Sequence, residues 1–266
     1  MTWVIGIAPP FGFSILVSDI CVTFRRADGT EQRADCLQKI YPLGPFVLGG
    51  FSGSVRIGFA ILSVIQAEFS KAPEGQAWNL DVTVQTWLPR LVRRVFRTAP
   101  GSEQALGSSI MLAAAHPTLN RGDAPWPWTD VYVLSRPSFD PVKAEPLQVA
   151  AIGSGAAIDP YMTALRASCA DFSFIQAAVG GEGAQAMLIA HRVSRLMAEG
   201  PVPGISTLFQ IGLVTRGRLA IHNHEYSEHR ADGTQVEFKF PPIARGGREF
   251  ELLCQQSSWA AAEAVC

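Results

Sequence analysis

Residues 46–54 read Phe-Val-Leu-Gly-Gly-Phe-Ser-Gly-Ser, and the spacing of the apolar residues changes directly after them. Phe46 to Phe51 is a short apolar run typical of a buried strand, and the glycine and serines that follow indicate a turn. From Val55 to Lys71 the apolar residues recur at helical spacing. The pattern therefore predicts a strand, a glycine turn and a helix in immediate succession.

The segments before this stretch are predicted to be almost entirely sheet. Apolar runs at residues 2–8, 13–23 and 39–43 are typical of strands. An Ala-Asp-Gly-Thr sequence at 27–30 lies between polar arms, which indicates a hairpin turn. The first 54 residues thus contain strands without an intervening helix.

After the first helix, the pattern predicts helices in pairs between groups of strands. A second helix carries Val84 to Phe96 and contains Pro89, which is expected to kink it. Strand patterns return at 109–115, 130–134, 147–152, 207–215 and 218–222, and helical patterns cover about 160–170 and 183–198. This order predicts an α+β fold, a four-layer αββα sandwich of two antiparallel sheets between helix pairs. Residues 1–222 are expected to form that core, and 223–266 a C-terminal extension packed on the core or at a subunit interface.

Composition narrows the classes of function. The chain has 266 residues, of which 48% are hydrophobic, enough for one large core. A net charge of −1 does not favour nucleic acid as a partner, and no apolar run predicts a membrane span. The five cysteines are scattered without a Cys-x-x-Cys pair, which favours free thiols in a reducing cytoplasm. Glycine-rich phosphate loops are absent from the sequence, and no cofactor is predicted.

Thr2 is the first residue with a chemical interpretation. Removal of Met1, which requires a small second residue, would leave a free amine and a hydroxyl on one residue. Such an amine has a reference pKa near 8, suited to a general base at neutral pH, and it can activate the hydroxyl as a nucleophile. The alternative is that Thr2 only begins a buried strand, since many proteins carry threonine at this position.

Several stretches in the same order resemble the proteasome β-subunit family. They are Thr2-Trp3-Val4-Ile5-Gly6-Ile7, Ser18-Asp19-Ile20-Cys21-Val22-Thr23, Asp35-Cys36-Leu37-Gln38-Lys39-Ile40, the stretch at 46–54, and Ile152-Gly153-Ser154-Gly155. The resemblance covers roughly residues 2–222 and is greatest to bacterial proteasome homologues, including the betaproteobacterial group. It implies the fold of N-terminal-nucleophile hydrolases and a threonine-type endopeptidase.

The resemblance also implies roles for five residues at a catalytic site. Thr2 would be the nucleophile and its own amine the proton shuttle. Lys39 would lie against the Thr2 hydroxyl, and Asp19 would pair with Lys39. The Gly53 N–H would stabilise the oxyanion, and Ser154 would hydrogen-bond the amine. Each also has an ordinary interpretation, as a strand end, a solvated lysine or a turn.

The same resemblance implies a binding mode for substrate and a mode of assembly. Thr23 would bind the substrate backbone as an added strand, and Val22, Phe51 and Val55 would line an apolar side-chain pocket. The protein would be a homo-oligomer of stacked rings that hydrolyses peptides or unfolded proteins inside a chamber. Whether an ATP-dependent unfoldase feeds that chamber is left open.

The sequence departs from the family pattern at two positions, and these departures leave two other functions open. The stretch at 199–206 lacks the aspartate expected there, so Glu199 or Ser206 would have to substitute for it. The basic residue usual after the aspartate of the second strand is also missing. The alternatives are a weak or inactive assembly protein on the same fold and an N-terminal-nucleophile hydrolase of small amides.

Three histidines near the C-terminal end of the predicted core are candidates for a metal site. His222, His224 and His229 could approach one another, but neither a carboxylate nor a cysteine completes a zinc set. No metal is therefore predicted.

Overall fold

The computed structural model describes residues 2–71, 80–170, 182–229, 234–257, 259 and 262–266, and it shows a mixed α+β fold. The strands are β1 (Val4–Ile7), β2 (Phe13–Asp19), β3 (Cys21–Arg25), β4 (Glu31–Asp35), β5 (Ile40–Gly44), β6 (Val47–Gly53), β7 (Ser108–Asn120), β8 (Pro127–Ser135), β9 (Pro141–Lys143), β10 (Ala150–Ile152), β11 (Phe209–Thr215), β12 (Arg218–His224), β13 (Tyr226–His229), β14 (Gln235–Phe238) and β15 (Glu263–Val265). The helices are α1 (Val55–Ser70), α2 (Leu80–Gln85), α3 (Leu88–Thr98), α4 (Gly101–Ala105), α5 (Asp159–Ala170), α6 (Glu182–Glu199) and α7 (Gly247–Gln256), with a 3-10 turn at Ser154–Ala157.

The described strands form two five-stranded sheets and two smaller ones. The first sheet has the order β10-β1-β2-β11-β12, and the second has the order β5-β6-β7-β8-β9. A three-stranded sheet, β15-β3-β4, lies beside them, and β13 pairs with β14. Every strand pair within these sheets is antiparallel among the residues described. The antiparallel character predicted from the sequence is therefore confirmed.

Three apolar clusters hold the sheets and helices together. The cluster shared by the two large sheets contains Val4, Leu16, Leu48, Met111 and Val131. A second cluster joins the first sheet to α5 and α6, and a third joins the second sheet to α1 and α3. Apolar burial of this kind contributes roughly 25 cal/mol per Å² to folding.

The transition from β6 to α1 confirms the succession predicted for residues 46–71. Ser54 is the N-cap of α1, and its Oγ accepts a hydrogen bond from the Ile57 N–H at 3.1 Å. The same hydroxyl donates to the buried Glu103 carboxylate. The helix predicted around Pro89 is instead two helices, because proline lacks an N–H and is tolerated only in the first turn of α3.

Two described elements after residue 222, α7 and β15, contact β3. β12 continues to His224, beyond the expected boundary, and is followed by β13, β14, α7 and β15. Phe250 of α7 is buried and stacks on Phe24 of β3, with ring centroids 6.0 Å apart. β15 pairs with β3. Within the described ranges, no helix has the length and apolar character needed to cross a bilayer.

Candidate active site

Thr2 directly precedes β1, and its backbone nitrogen and carbonyl are both hydrogen-bonded to the 3-10 turn at Ser154–Ala157. Its N–H donates to Ser154 Oγ at 3.2 Å, and its carbonyl accepts from the Gly155 N–H at 3.1 Å. A Cβ on Gly155 would lie 2.3 Å from the Trp3 ring, so only glycine allows this close approach. Thr2 itself is fully buried. Residues of the 3-10 turn thus hold both the backbone nitrogen and the carbonyl of Thr2.

Lys39 brings its ammonium group directly onto the Thr2 hydroxyl. Lys39 Nζ donates to Thr2 Oγ1 at 2.9 Å, to Asp19 Oδ1 at 2.9 Å and to the Cys21 carbonyl at 2.6 Å. These three acceptors match the three donors of an ammonium group. The segment carrying Lys39 is anchored where the Gln38 N–H donates to the Ala244 carbonyl at 3.0 Å.

Asp19 ends β2 and satisfies its buried carboxylate with donors from four parts of the chain. It accepts from the Trp3 N–H at 2.8 Å, the Cys21 N–H at 3.0 Å, the Ser206 N–H at 3.4 Å and Lys39 Nζ. Both side chains of the Lys39–Asp19 pair have no exposed surface. A charge is tolerated at such depth only when it is paired and hydrogen-bonded, as here.

The charged form of Lys39 is favoured despite complete burial. Desolvation alone would lower the pKa of Lys39, but the nearby Asp19 carboxylate more than offsets it, and the pKa of Lys39 lies above its usual value. The site therefore holds a fixed positive charge 2.9 Å from the Thr2 hydroxyl oxygen.

Asp35 and Ser206 form a second polar contact beside this pair, which the sequence did not predict. Ser206 Oγ donates to Asp35 Oδ2 at 2.8 Å and accepts from the Leu208 N–H at 2.9 Å. The stretch at 199–206 lacks an aspartate, and the carboxylate that Ser206 contacts belongs to Asp35 of β4. Glu199, the other substitute considered, lies on the surface and pairs with Arg195.

We expect Asp35→Asn to stabilise the protein at neutral pH. Burial raises the pKa of Asp35, although the hydrogen bond from Ser206 opposes the shift. A carboxyl whose pKa is higher in the folded state lowers stability as the pH rises above its ordinary value of 3.8, because the unfolded chain ionises first. Urea unfolding should show a stability difference in favour of Asn at pH 7 that disappears below that value. A difference that does not change with pH would contradict this.

Gly53 ends β6 in a conformation that only glycine adopts without strain. Its φ is +94°, and a Cβ there would lie 2.4 Å from the Gly107 carbonyl oxygen. The Gly53 N–H donates to the Cys266 carbonyl at 2.6 Å, while its own carbonyl accepts from the Cys266 N–H at 2.7 Å. The backbone donor predicted at Gly53 is therefore in contact with another carbonyl of this chain.

Gly53→Ala is expected to destabilise the fold and remove this donor from its place. The positive φ costs about 1–2 kcal/mol for alanine, and the contact with the Gly107 carbonyl adds to it. Gly29→Ala is a matched control, because Gly29 has a similar φ of +83° but open space where the Cβ would lie. Urea unfolding of both variants separates the two effects. Equal losses of stability would show that the contact with Gly107 costs nothing.

The residues predicted to bind substrate lie next to this donor. Thr23 lies on β3 opposite Val265, and it lines a cavity of about 420 Å³ together with Gly53, Ser154 and Cys266. The predicted pocket residues Val22, Phe51 and Val55 are fully buried in the cluster that also contains Cys266. The structure thus links Thr2, Asp19, Lys39 and Ser154 by direct hydrogen bonds and places the remaining predicted residues around the segment that ends in Cys266.

Histidines do not form a metal site in the part of the chain that is described. No group of three or more His, Cys, Asp or Glu residues there could hold an ion. His222 is exposed, whereas His224 is buried, and burial lowers the pKa of His224.

Comparison with known proteins gives no assignment. No protein-family model matches this chain, and no curated protein is detectably similar to it.

Proposed function

We propose that the chain is an N-terminal-nucleophile hydrolase, a threonine peptidase that cleaves amide bonds through an acyl-enzyme. The observation that carries the proposal is the contact of Lys39 Nζ with Thr2 Oγ1 at 2.9 Å, held by the buried carboxylate of Asp19. Burying the charge of a lysine costs free energy, and the side chain of Lys39 has no exposed surface. Its ammonium group donates to the hydroxyl of Thr2. Clusters of this kind are concentrated at functional sites.

The mechanism begins when removal of Met1 converts the Thr2 nitrogen to a free amine. That amine takes the proton from Thr2 Oγ1 while the oxygen attacks the carbonyl carbon of a peptide bond. The ammonium group of Lys39 favours the developing negative charge on the oxygen. Ser154 Oγ, 3.2 Å from the Thr2 nitrogen, orients the amine.

The Gly53 N–H supplies the donor for the tetrahedral oxyanion, an effect typically worth about 3 kcal/mol. Collapse of that intermediate breaks the C–N bond, and the Thr2 ammonium returns the proton to the leaving nitrogen. Water then attacks the ester carbonyl, with the amine again as base, and releases the carboxylic acid product. Thr2 is regenerated in the last step.

The packing of the sheets supports the four-layer αββα sandwich of this enzyme class. Two antiparallel sheets share an apolar layer, and their other faces pack in clusters with α5 and α6 on one side and with α1 and α3 on the other. In that arrangement Thr2, at the start of β1, lies at one end of the first sheet.

We further propose a homo-oligomer of stacked rings in a cytoplasmic setting, with unfolded polypeptide as substrate. The test combines a peptide library and a set of small amides as substrates with the native mass of the purified protein. Peptide cleavage with a ring-sized mass supports the proposal. Cleavage of small amides alone would indicate the alternative hydrolase chemistry.

One observation favours a second candidate, a non-catalytic assembly protein on the same fold. The Gly53 N–H donates to Cys266 of the same chain, so the donor proposed for the oxyanion already has an acceptor. Retention of Met1 together with ring formation and no hydrolysis of any substrate would select this candidate.

A further inference from the structure

A short segment of the chain lies as an added strand beside the candidate site. Residues 263–265 form β15, which pairs antiparallel with β3 so that Val265 is opposite Thr23 and Glu263 is opposite Arg25. Immediately afterwards, Cys266 and Gly53 exchange two backbone hydrogen bonds, at 2.6 and 2.7 Å. The segment therefore lies between β3 and the end of β6 and is bonded on both sides, as a peptide bound by strand addition would be.

The side chain of Cys266 completes the likeness to a bound peptide. Cys266 is only 4% exposed and belongs to the apolar cluster of Val22, Phe51 and Val55. Burial raises the pKa of the Cys266 thiol to about 11. Its carbonyl accepts from the Gly53 N–H. The Cys266 carbonyl thus contacts the proposed oxyanion donor, and the Cys266 side chain lies among the predicted pocket residues. The backbone of β15 pairs with the strand that carries Thr23.

We infer that Glu263–Cys266, here called the groove segment, is a resident substrate-like ligand that a peptide must displace before it can bind. The inference rests on the proposed function for the identity of the groove as a substrate site. The inference goes beyond the proposed function because the groove segment would act as a competitive inhibitor within the same chain. It also defines the substrate class as extended peptides with a small side chain at the residue whose carbonyl meets Gly53.

The energetics permit both occupation and release. Because the groove segment belongs to the same chain as the site, it acts at an effective concentration on the order of 1 mM, so even weak intrinsic affinity keeps it bound. The last three side chains of the groove segment, Ala264, Val265 and Cys266, are small, and Glu263 and Val265 remain partly exposed. The apparent affinity of an external peptide is then reduced by the fraction of chains whose groove is occupied.

The test measures binding of a fluorescent Ala-Glu-Ala-Val-Cys peptide, the sequence of residues 262–266, by anisotropy. This peptide ends at the cysteine and needs no cleavage to report binding. The full chain is compared with a chain that ends at residue 261. We expect the shortened chain to bind the peptide at least about tenfold more tightly.

Two variants of the full-length chain test the same inference even if the shortened chain does not fold. Cys266→Trp is too large for the closed pocket and should release the groove segment, whereas Cys266→Ser preserves its size. We expect peptide binding to strengthen in the tryptophan variant and to stay weak in the serine variant. Hydrogen exchange of residues 263–266 should accelerate only in the tryptophan variant.

Equal affinity in the full and shortened chains, or no binding to the folded shortened chain, would overturn the inference. If the shortened chain fails to fold, equal affinity in the two Cys266 variants would overturn it. The proposed function fails by a different result. A chain that binds the peptide but is never modified at Thr2 by a peptide epoxyketone would contradict the proposed peptidase function. The same result would still support the groove segment as a resident ligand.

Discussion

Replacing Thr2 with alanine is expected to abolish peptide hydrolysis, with kcat/KM lowered about 10³-fold or more. The variant lacks the only hydroxyl to which Lys39 Nζ donates among the described hydrogen bonds, so an acyl-enzyme cannot form. Loss of a nucleophile in comparable hydrolases removes an effect of this size. The measurement is steady-state cleavage of the best peptide from the library.

Thr2→Ser is the matched control for this variant. It retains the hydroxyl, the amine and a second residue small enough for removal of Met1, and it should keep measurable activity. Urea unfolding of both variants would show that the fold survives, because Thr2 contributes a single methyl and hydroxyl to the core. Hydrolysis by Thr2→Ala at the rate of the serine variant would remove Thr2 from the mechanism.

Replacing Lys39 with methionine should abolish activity and also destabilise the protein by about 3–5 kcal/mol. The substitution leaves the Asp19 carboxylate buried without its counter-ion, and an unpaired buried charge carries a cost of this order. Urea unfolding measures the loss of stability, and peptide cleavage measures the loss of activity.

Two further variants separate structure from chemistry at Lys39. The double variant Asp19→Asn with Lys39→Met removes both charges, so stability should recover in large part while activity stays absent. Lys71→Met is the surface control, since the Lys71–Glu68 pair is exposed and worth at most about 1 kcal/mol. Activity in the double variant would show that the ammonium group has no part in the reaction.

The resemblance in sequence implies the link between Thr2, Asp19 and Lys39, and the strand order of the fold accounts for it. The pairing of β1 with β2 places Val4 opposite Ser18, so Thr2 and Asp19 must lie near each other once these two strands pair. Lys39 precedes β5, whose neighbour β6 packs against the first sheet through the shared apolar layer. The order of these strands thus explains how Thr2, Asp19 and Lys39 meet at the site.

Asp35 and the groove segment could not be predicted in this way. Asp35 lies in a polar strand of mostly exposed residues, and its partner Ser206 is 171 residues away in sequence. β15 has only three residues and pairs with a strand near the opposite end of the chain. No local periodicity marks such contacts, because they form only after the core has brought distant segments together.

The mass of the intact protein after reaction with excess peptide epoxyketone, followed by peptide mapping, tests the central claim most directly. This reagent needs a hydroxyl and a free amine on the same residue. We expect a chain that has lost Met1 and gained one reagent, attached at Thr2. A chain that retains Met1 and remains unmodified would contradict the assignment of Thr2 as an N-terminal nucleophile.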